Sequence, residues 1–209
     1  MRVVLATGNA GKLREMRTLL APLSMEVLPQ SDFDTPEAIE DGLSFVENAI
    51  IKARNAAAHC DLPALADDSG LEVAALDGAP GIYSSRFAGE NASDADNIEK
   101  LLHDLADLPA AKRTARFRCV MVYLRHAKDP SPVIAEGSWN GRILQSKEGD
   151  GGFGYDPVFY APETDCAVAT LSSEQKNALS HRGKASRAIV KKLQALANTD
   201  DAPEIQSIS

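Results

Sequence analysis

Aromatic side chains make up only 5% of the 209 residues, with a single tryptophan, so aromatics gathered at one place need a local reason. Cysteine is scarce too. Cys60, Cys119 and Cys166 are odd in number, far apart and free of any C-x-x-C spacing, which excludes a disulfide framework and a zinc ribbon and makes the cytoplasm the expected compartment. Basic charge is short: 22 Lys and Arg against 30 Asp and Glu leave a net charge of −8. A protein that grips nucleic acid needs Lys and Arg to neutralise phosphates, so no nucleic-acid partner is expected. No apolar run approaches the ~20 residues of a membrane span, and Val3-Val4-Leu5-Ala6 turns polar at Thr7, too soon for a signal peptide. No membrane partner is expected either.

What is present is an ordinary globular composition, 44% hydrophobic and 25% charged. A chain of this length buries about 70% of its unfolded surface, enough for one domain or two tightly joined lobes. Residues 2–6 read as a β-branched strand and 12–20 as a helix with Leu13, Met16 and Leu20 on one face. A second strand is expected at 26–28. Ser44 and Glu47 form an S-x-x-E capping box opening a helix with Val46, Ala49, Ile50, Ala53 and Ala57 inward, and Glu40 precedes it. Pro63 to Ala66 reads as a short strand delivering Asp67-Asp68-Ser69-Gly70 at its carboxyl end, where open α/β sheets bind ligands. Ser93 caps a helix to about Leu105. Residues 115–126 and 133–144 read as an antiparallel hairpin forming a second lobe, and Pro157 to Tyr160 as another strand. A short helix covers Ser173 to Ala178; Ser180 caps a last one to about Ala197 with Ile189, Leu193 and Leu196 inward. Residues 198–209 are a polar, frayed tail.

Four polar segments sit where apolar runs meet turns or helix starts. Thr7-Gly8-Asn9-Ala10-Gly11-Lys12 is a strand-to-helix turn whose amides and lysine suit phosphate. It is not a G-x-x-x-x-G-K phosphate loop, because Gly8 and Gly11 are too close and Leu13 stands where a magnesium-binding hydroxyl would follow; other residues must hold a metal. Asp67 and Asp68 repel and lose solvation unless a cation or proton compensates, and a hard ion such as Mg²⁺ takes carboxylate oxygen readily. Neighbours in a strand point to opposite faces, so one of the pair leads. Phe153 and Tyr155 flank Gly154, and an aromatic held between glycines can offer a bare face to a base; Tyr155 is the better candidate for packing. Ser180-His181-Arg182 lacks the G-x-S-x-G elbow of a serine hydrolase, so His181 and Arg182 at a helix start read as ligand contacts, with Lys176 one element upstream. Each segment alone has a plainer reading: a solvated lysine at a turn, an Asp-Ser-Gly turn, a packed aromatic, a cap. Together they make the kit of a metal-dependent hydrolase of nucleoside triphosphates.

In order and spacing these motifs, with Asp67-Asp68-Ser69-Gly70-Leu71, Gly151-Gly152-Phe153-Gly154-Tyr155-Asp156-Pro157 and Lys176-Asn177 before Ser180-His181-Arg182-Gly183, resemble the inosine/xanthosine triphosphate pyrophosphatase family over residues 1 to about 197. The resemblance implies an elongated α/β fold of two lobes around a central mixed sheet, a cleft between them, Mg²⁺ and a homodimer. It makes Thr7, Gly8, Asn9, Ala10, Gly11 and Lys12 the triphosphate cradle, Glu40 and Asp68 the metal ligands, and Asp68 also the proton acceptor. Asp41 competes with Glu40 for its role. Ser69, Phe153, Gly154, Tyr155, Asp156, Lys176, His181 and Arg182 become substrate contacts. Rival readings are a Maf-type pyrophosphatase, a non-catalytic nucleotide sensor, and a phosphatase with an aspartyl nucleophile at Asp67 or Asp68.

Overall fold

The computed structural model describes residues 1–200. Among them one mixed sheet runs in the order β2-β1-β3-β4-β5-β6-β7. β1 (Arg2–Leu5) lies between its parallel neighbours β2 (Glu26–Pro29) and β3 (Ala64–Val73). From β3 onward the sheet is antiparallel, through β4 (Thr114–Leu124), β5 (Val133–Ile143), β6 (Phe159–Ala161) and β7 (Cys166–Ala167). Parallel neighbours need crossovers, and these carry α1 (Ala10–Leu20) and α2 (Phe45–Cys60). α3 (Asp94–Asp104), α4 (Ser173–Leu179) and α5 (His181–Asp200) complete the helices.

Each helix starts where its cap residue predicts. Asn9 caps α1; Ser93 with Asp96, and Ser172 with Gln175, form reciprocal boxes at α3 and α4. Ser180 Oγ accepts the Gly183 N–H at the start of α5. The box expected at α2 is half made: Ser44 Oγ accepts the Glu47 N–H, but the Glu47 carboxylate takes the Leu43 N–H and the Ser44 hydroxyl instead of the Ser44 N–H.

Alternation along β3 divides the core. Leu65 faces α1 and α5 with Val3, Leu20, Met121 and Ile189, while Ala64 and Ala66 face the alanine stripe of α2, Ala49, Ala53, Ala56 and Ala57. Further along, Leu71 and Val73 join Phe117, Trp139, Phe159 and the α3 residues Ile98 and Leu101.

Several expectations are corrected. The acidic pair does not end a short strand: β3 continues to Val73, paired residue for residue with β4, because the ladder and flanking apolar residues override the turn preference of Asp-Ser-Gly. β4 and β5 form the expected hairpin, and their side chains contribute to all three clusters. Asp156 to Val158 is a helical turn, and the strand begins at Phe159. α5 passes Ala197 to Asp200, so residues 198–200 are helix; the rest of the expected tail lies outside the described residues. Leu196 is 41% exposed, not inward. No helix among the described residues is long and apolar enough to cross a membrane.

A buried arginine joins the end of α3 to the end of β5. Arg113, 2% exposed, donates to Leu108 O at 3.0 Å, Leu144 O at 2.8 Å and Leu105 O at 2.7 Å. Arg113→Met keeps the stem but removes three charge-assisted hydrogen bonds to carbonyls, the one to Leu105 O fully buried, so a loss of about 2–3 kcal/mol in urea unfolding is expected. A loss under about 0.5 kcal/mol, the range of a neutral surface change, would show that the carbonyls find other donors.

Candidate active site

Asp67 and Asp68 sit on opposite faces of β3 just beyond Leu65, where its pairing with β1 ends. Asp67, on the α1 and α5 face, receives Lys12 Nζ on both oxygens at 3.0 and 2.9 Å, and Arg182 Nε lies 3.6 Å away. Burial pushes its carboxyl up, but Lys12 and Arg182 more than reverse this and hold it low, at about 2. Asp68, on the α2 face, receives Lys52 Nζ on Oδ1 at 3.0 Å, and the same ammonium lies 3.1 Å from Glu40 Oε2. Here burial outweighs Lys52 and the Asp68 carboxyl is raised, while the two carboxylates overcome burial to raise Lys52. Asp41 is exposed, so of the two loop acids Glu40 is the one brought to Asp68.

The Thr7–Lys12 turn is more occupied than its sequence implies. Asn9 Oδ1 accepts the Gly11 and Lys12 N–H groups at 2.8 and 3.1 Å, and Thr7 Oγ1 accepts the Asn9 N–H at 3.2 Å. Two amides expected to face an anion are therefore held by the cap itself. Thr7, Gly8 and Lys12 still line a hollow of about 230 Å³ together with Glu40, Lys52 and Asp67.

The glycine loop is fastened from behind. Asp156 Oδ2 accepts the Phe153 N–H at 2.9 Å and pairs with Lys176, and Asp94 Oδ2 accepts the Gly154 N–H at 2.6 Å. Gly152 is required: its φ is +77°, and a Cβ there would lie 2.1 Å from Asp156 Oδ2. Phe153 is left 60% exposed, with Lys176 Nζ 4.1 Å and Arg182 Cζ 5.9 Å from its ring centre. Tyr155 and Asp156, expected to touch ligand, are buried: the Tyr155 hydroxyl donates to Ser84 O at 2.9 Å, and Asp156 is committed to Phe153 and Lys176.

His181 stacks on Phe117 with centres 4.8 Å apart and planes 13° from parallel. Burial, reinforced by Arg182 and Lys176, drives its imidazole down to about 3, so it is neutral near pH 7. Arg182 also donates to Ser69 Oγ at 3.3 Å. Phe153, Lys176, His181 and Arg182 line a second hollow of about 750 Å³, and Lys12 borders both hollows. Among the described residues, five buried side-chain atoms make no hydrogen bond, and three of them, Asp68 Oδ2, His181 Nδ1 and Arg182 Nε, belong to this site. Buried polar atoms are ordinarily satisfied. Sequence reasoning missed Asn48 and Asn55; the signal was spacing on α2, polar residues at positions 48, 52 and 55 in an alanine-rich helix.

Fold and site together define an α/β protein whose cleft gathers cations and carboxylates around the middle of one strand, with a bare aromatic at its rim. The chain belongs to the Ham1 family, whose model matches residues 3–192. It is 61% identical over 194 residues to a protein of Thioalkalivibrio sulfidiphilus named dITP/XTP pyrophosphatase, covering 93% of this chain and 99% of that one. It is 56% identical to a protein of Vibrio parahaemolyticus with the same name, covering 93% and 97%. A solved HAM1 protein from Coxiella burnetii superposes with a TM-score of 0.90 at 47% identity, covering 93% of this chain and 99% of that one.

The buried imidazole makes a pH prediction. The His181 pKa falls from 6.5 to about 3 on folding, so the unfolded chain takes up this proton first and stability is lost as pH falls from about 6.5 towards 3. Between pH 7 and 5 the wild type should lose about 2 kcal/mol more than His181→Phe, which keeps a ring against Phe117. Parallel stability curves for the two proteins would show that His181 titrates normally in the fold.

Proposed function

We propose that this protein hydrolyses deaminated purine nucleoside triphosphates between the α- and β-phosphates, releasing the nucleoside monophosphate and pyrophosphate. The observation that carries this reading is the convergence of Lys12, Lys52 and Arg182 on the buried carboxylates Asp67 and Asp68, with Lys176, held by Asp156, beside the exposed Phe153. The names of the relatives at 61% and 56% identity agree with it. The reading places the protein in the cytoplasm as a homodimer, and Leu43 and Tyr83, exposed around one hollow, are apolar surface such a dimer would cover.

The donor set suits a hard divalent cation. Asp68 Oδ2 is a buried oxygen without a protein partner, and Glu40 stands across Lys52 from it. Glu40 and Asp68 would hold Mg²⁺, which when bound supplies charge to neutralise phosphate oxygens. The rest is assigned to side chains. Asp68, its carboxyl raised by burial, orients a water and accepts its proton as the water oxygen bonds to the α-phosphorus. The bond from that phosphorus to the α,β-bridging oxygen breaks, and Lys12 and Lys176 stabilise the departing pyrophosphate. Phe153 stacks on the base, His181 and Ser69 flank it, and Arg182 donates to its O6. No covalent intermediate is needed.

The direct test is product analysis with inosine triphosphate and Mg²⁺. Pyrophosphate supports the reading; orthophosphate with a trapped phosphoenzyme would move it to an aspartyl phosphatase, binding without turnover to a sensor, and preference for pyrimidine nucleotides to a Maf-type enzyme. Asp68→Asn should stay folded and lose roughly 10²–10⁴ in rate. Near-normal turnover with magnesium would shift the role to another residue.

Arg182 sets a second expectation. Arginine only donates hydrogen bonds, so it satisfies the O6 acceptor of hypoxanthine or xanthine and meets the 6-amino group of adenine with donor against donor. Inosine triphosphate should exceed adenosine triphosphate in kcat/KM by a factor of up to about 10⁴. Arg182→Ala should compress that ratio. If both substrates lose the same factor, discrimination lies elsewhere.

A further inference from the structure

α2 carries Asn48, Lys52 and Asn55 at spacings of four and three residues, a single helical stripe, and each grips a different point of the loop that bears Glu40. Asn55 Nδ2 donates to Pro36 O at 2.7 Å, Lys52 pairs with Glu40 Oε2 at 3.1 Å, and Asn48 Oδ1 accepts the Gly42 N–H at 2.9 Å. Helix numbers fall as loop numbers rise, so the loop lies antiparallel along the helix and three side chains set its register.

Asn48 differs from the other two. It is 1% exposed and is the one polar member of a buried face otherwise made of Phe45, Ala49, Ala53, Ala56 and Ala57. Burying a carboxamide there is costly unless its groups are used. Its oxygen serves Gly42. Its Nδ2 is buried without a hydrogen bond. Gly42 is matched to this contact, since a Cβ there would lie 2.7 Å from Asn48 Oδ1 and 2.7 Å from Glu47 Cβ. Backbone and side chain meet more closely than any larger residue allows.

We propose that Asn48 is a positioning residue for the cation site, fixing the Glu40 loop on α2 through Gly42 so that Glu40 is held in place before any ion arrives. The proposal rests on the reading of Glu40 and Asp68 as ligands of a divalent ion. It explains why a polar residue interrupts the alanine stripe, and it assigns no contact with substrate to Asn48.

Two variants of the full chain approach the contact from its two sides: Asn48→Leu removes both amide functions at similar volume, and Gly42→Ala wedges the loop away while leaving Asn48 intact. Magnesium is titrated calorimetrically without nucleotide, and amide hydrogen exchange is followed at residues 38–43, with thermal melting as the check on folding. Both variants should weaken magnesium by roughly tenfold, the usual effect of losing a group that orients a ligand. Exchange at Gly42 should accelerate in Asn48→Leu. Saturating magnesium should return kcat towards the wild-type value, a recovery not expected of Asp68→Asn. If Asn48→Leu does not fold, Gly42→Ala decides alone. Wild-type magnesium affinity in folded Gly42→Ala would overturn the proposal, and so would unchanged Gly42 exchange in folded Asn48→Leu. If the wild type itself takes up no magnesium, the metal reading falls first, and exchange at Gly42 still decides whether Asn48 latches the loop.

Discussion

Two carboxylates side by side in the middle of a buried strand are the constraint on which the site is built. Left alone, Asp67 and Asp68 would face each other's charge and the loss of water, and either would neutralise by taking up a proton. Strand geometry resolves the first difficulty by sending them to opposite faces, and that division dictates what each face must supply. On one face α1 and α5 bring Lys12 and Arg182 to Asp67; on the other α2 brings Lys52 to Asp68. The three helices are thus placed by apolar packing and also required by charge: α1 and α5 share the compensation of Asp67, and α2 alone supplies that of Asp68.

The two acids end in different states for that reason. Asp67 has two cations nearby and is held fully ionised, so it anchors Lys12 and Arg182 at fixed positions rather than reacting. Asp68 shares one ammonium with Glu40 and has a raised carboxyl, so it is the member that can take up a proton. Alternation placed the pair on opposite faces, and the two environments shift them in opposite directions. The same logic separates acid and base roles wherever neighbouring titratable groups are driven apart by their surroundings.

Much of the fold was legible because it depends on short-range signals. Ser93 and Ser180 announced their helices, and the β-branched run before Thr7 announced β1. β3 was misjudged because Asp-Ser-Gly carries turn chemistry, whereas a ten-residue ladder with β4 supplies hydrogen bonds that no local window contains. The same limit applies in the site. Residue types pointed to Lys12, Asp68 and Arg182, but that Lys12 pairs with Asp67, 55 positions away, is decided by tertiary packing. Tyr155 and Asp156 sat inside a persuasive motif and proved to be its buried supports, since a glycine loop that exposes Phe153 must be tied down by its neighbours.

An acidic chain that receives a polyanion is therefore no contradiction. The net charge of −8 describes the surface as a whole, while Lys12, Lys52, Lys176 and Arg182 are each already held by Asp67, Asp68, Glu40 or Asp156. Such pairing lowers the attraction each cation offers at long range. It also fixes the cations in place before ligand arrives, so less conformational entropy remains to be lost and less reorganisation is needed when charge develops on the phosphates. The buried atoms that make no hydrogen bond, Asp68 Oδ2, His181 Nδ1 and Arg182 Nε, mark where that order is incomplete. A ligand that brings its own cation and its own acceptors adds what the protein has held back, and the internal pairs keep the framework rigid while it does so.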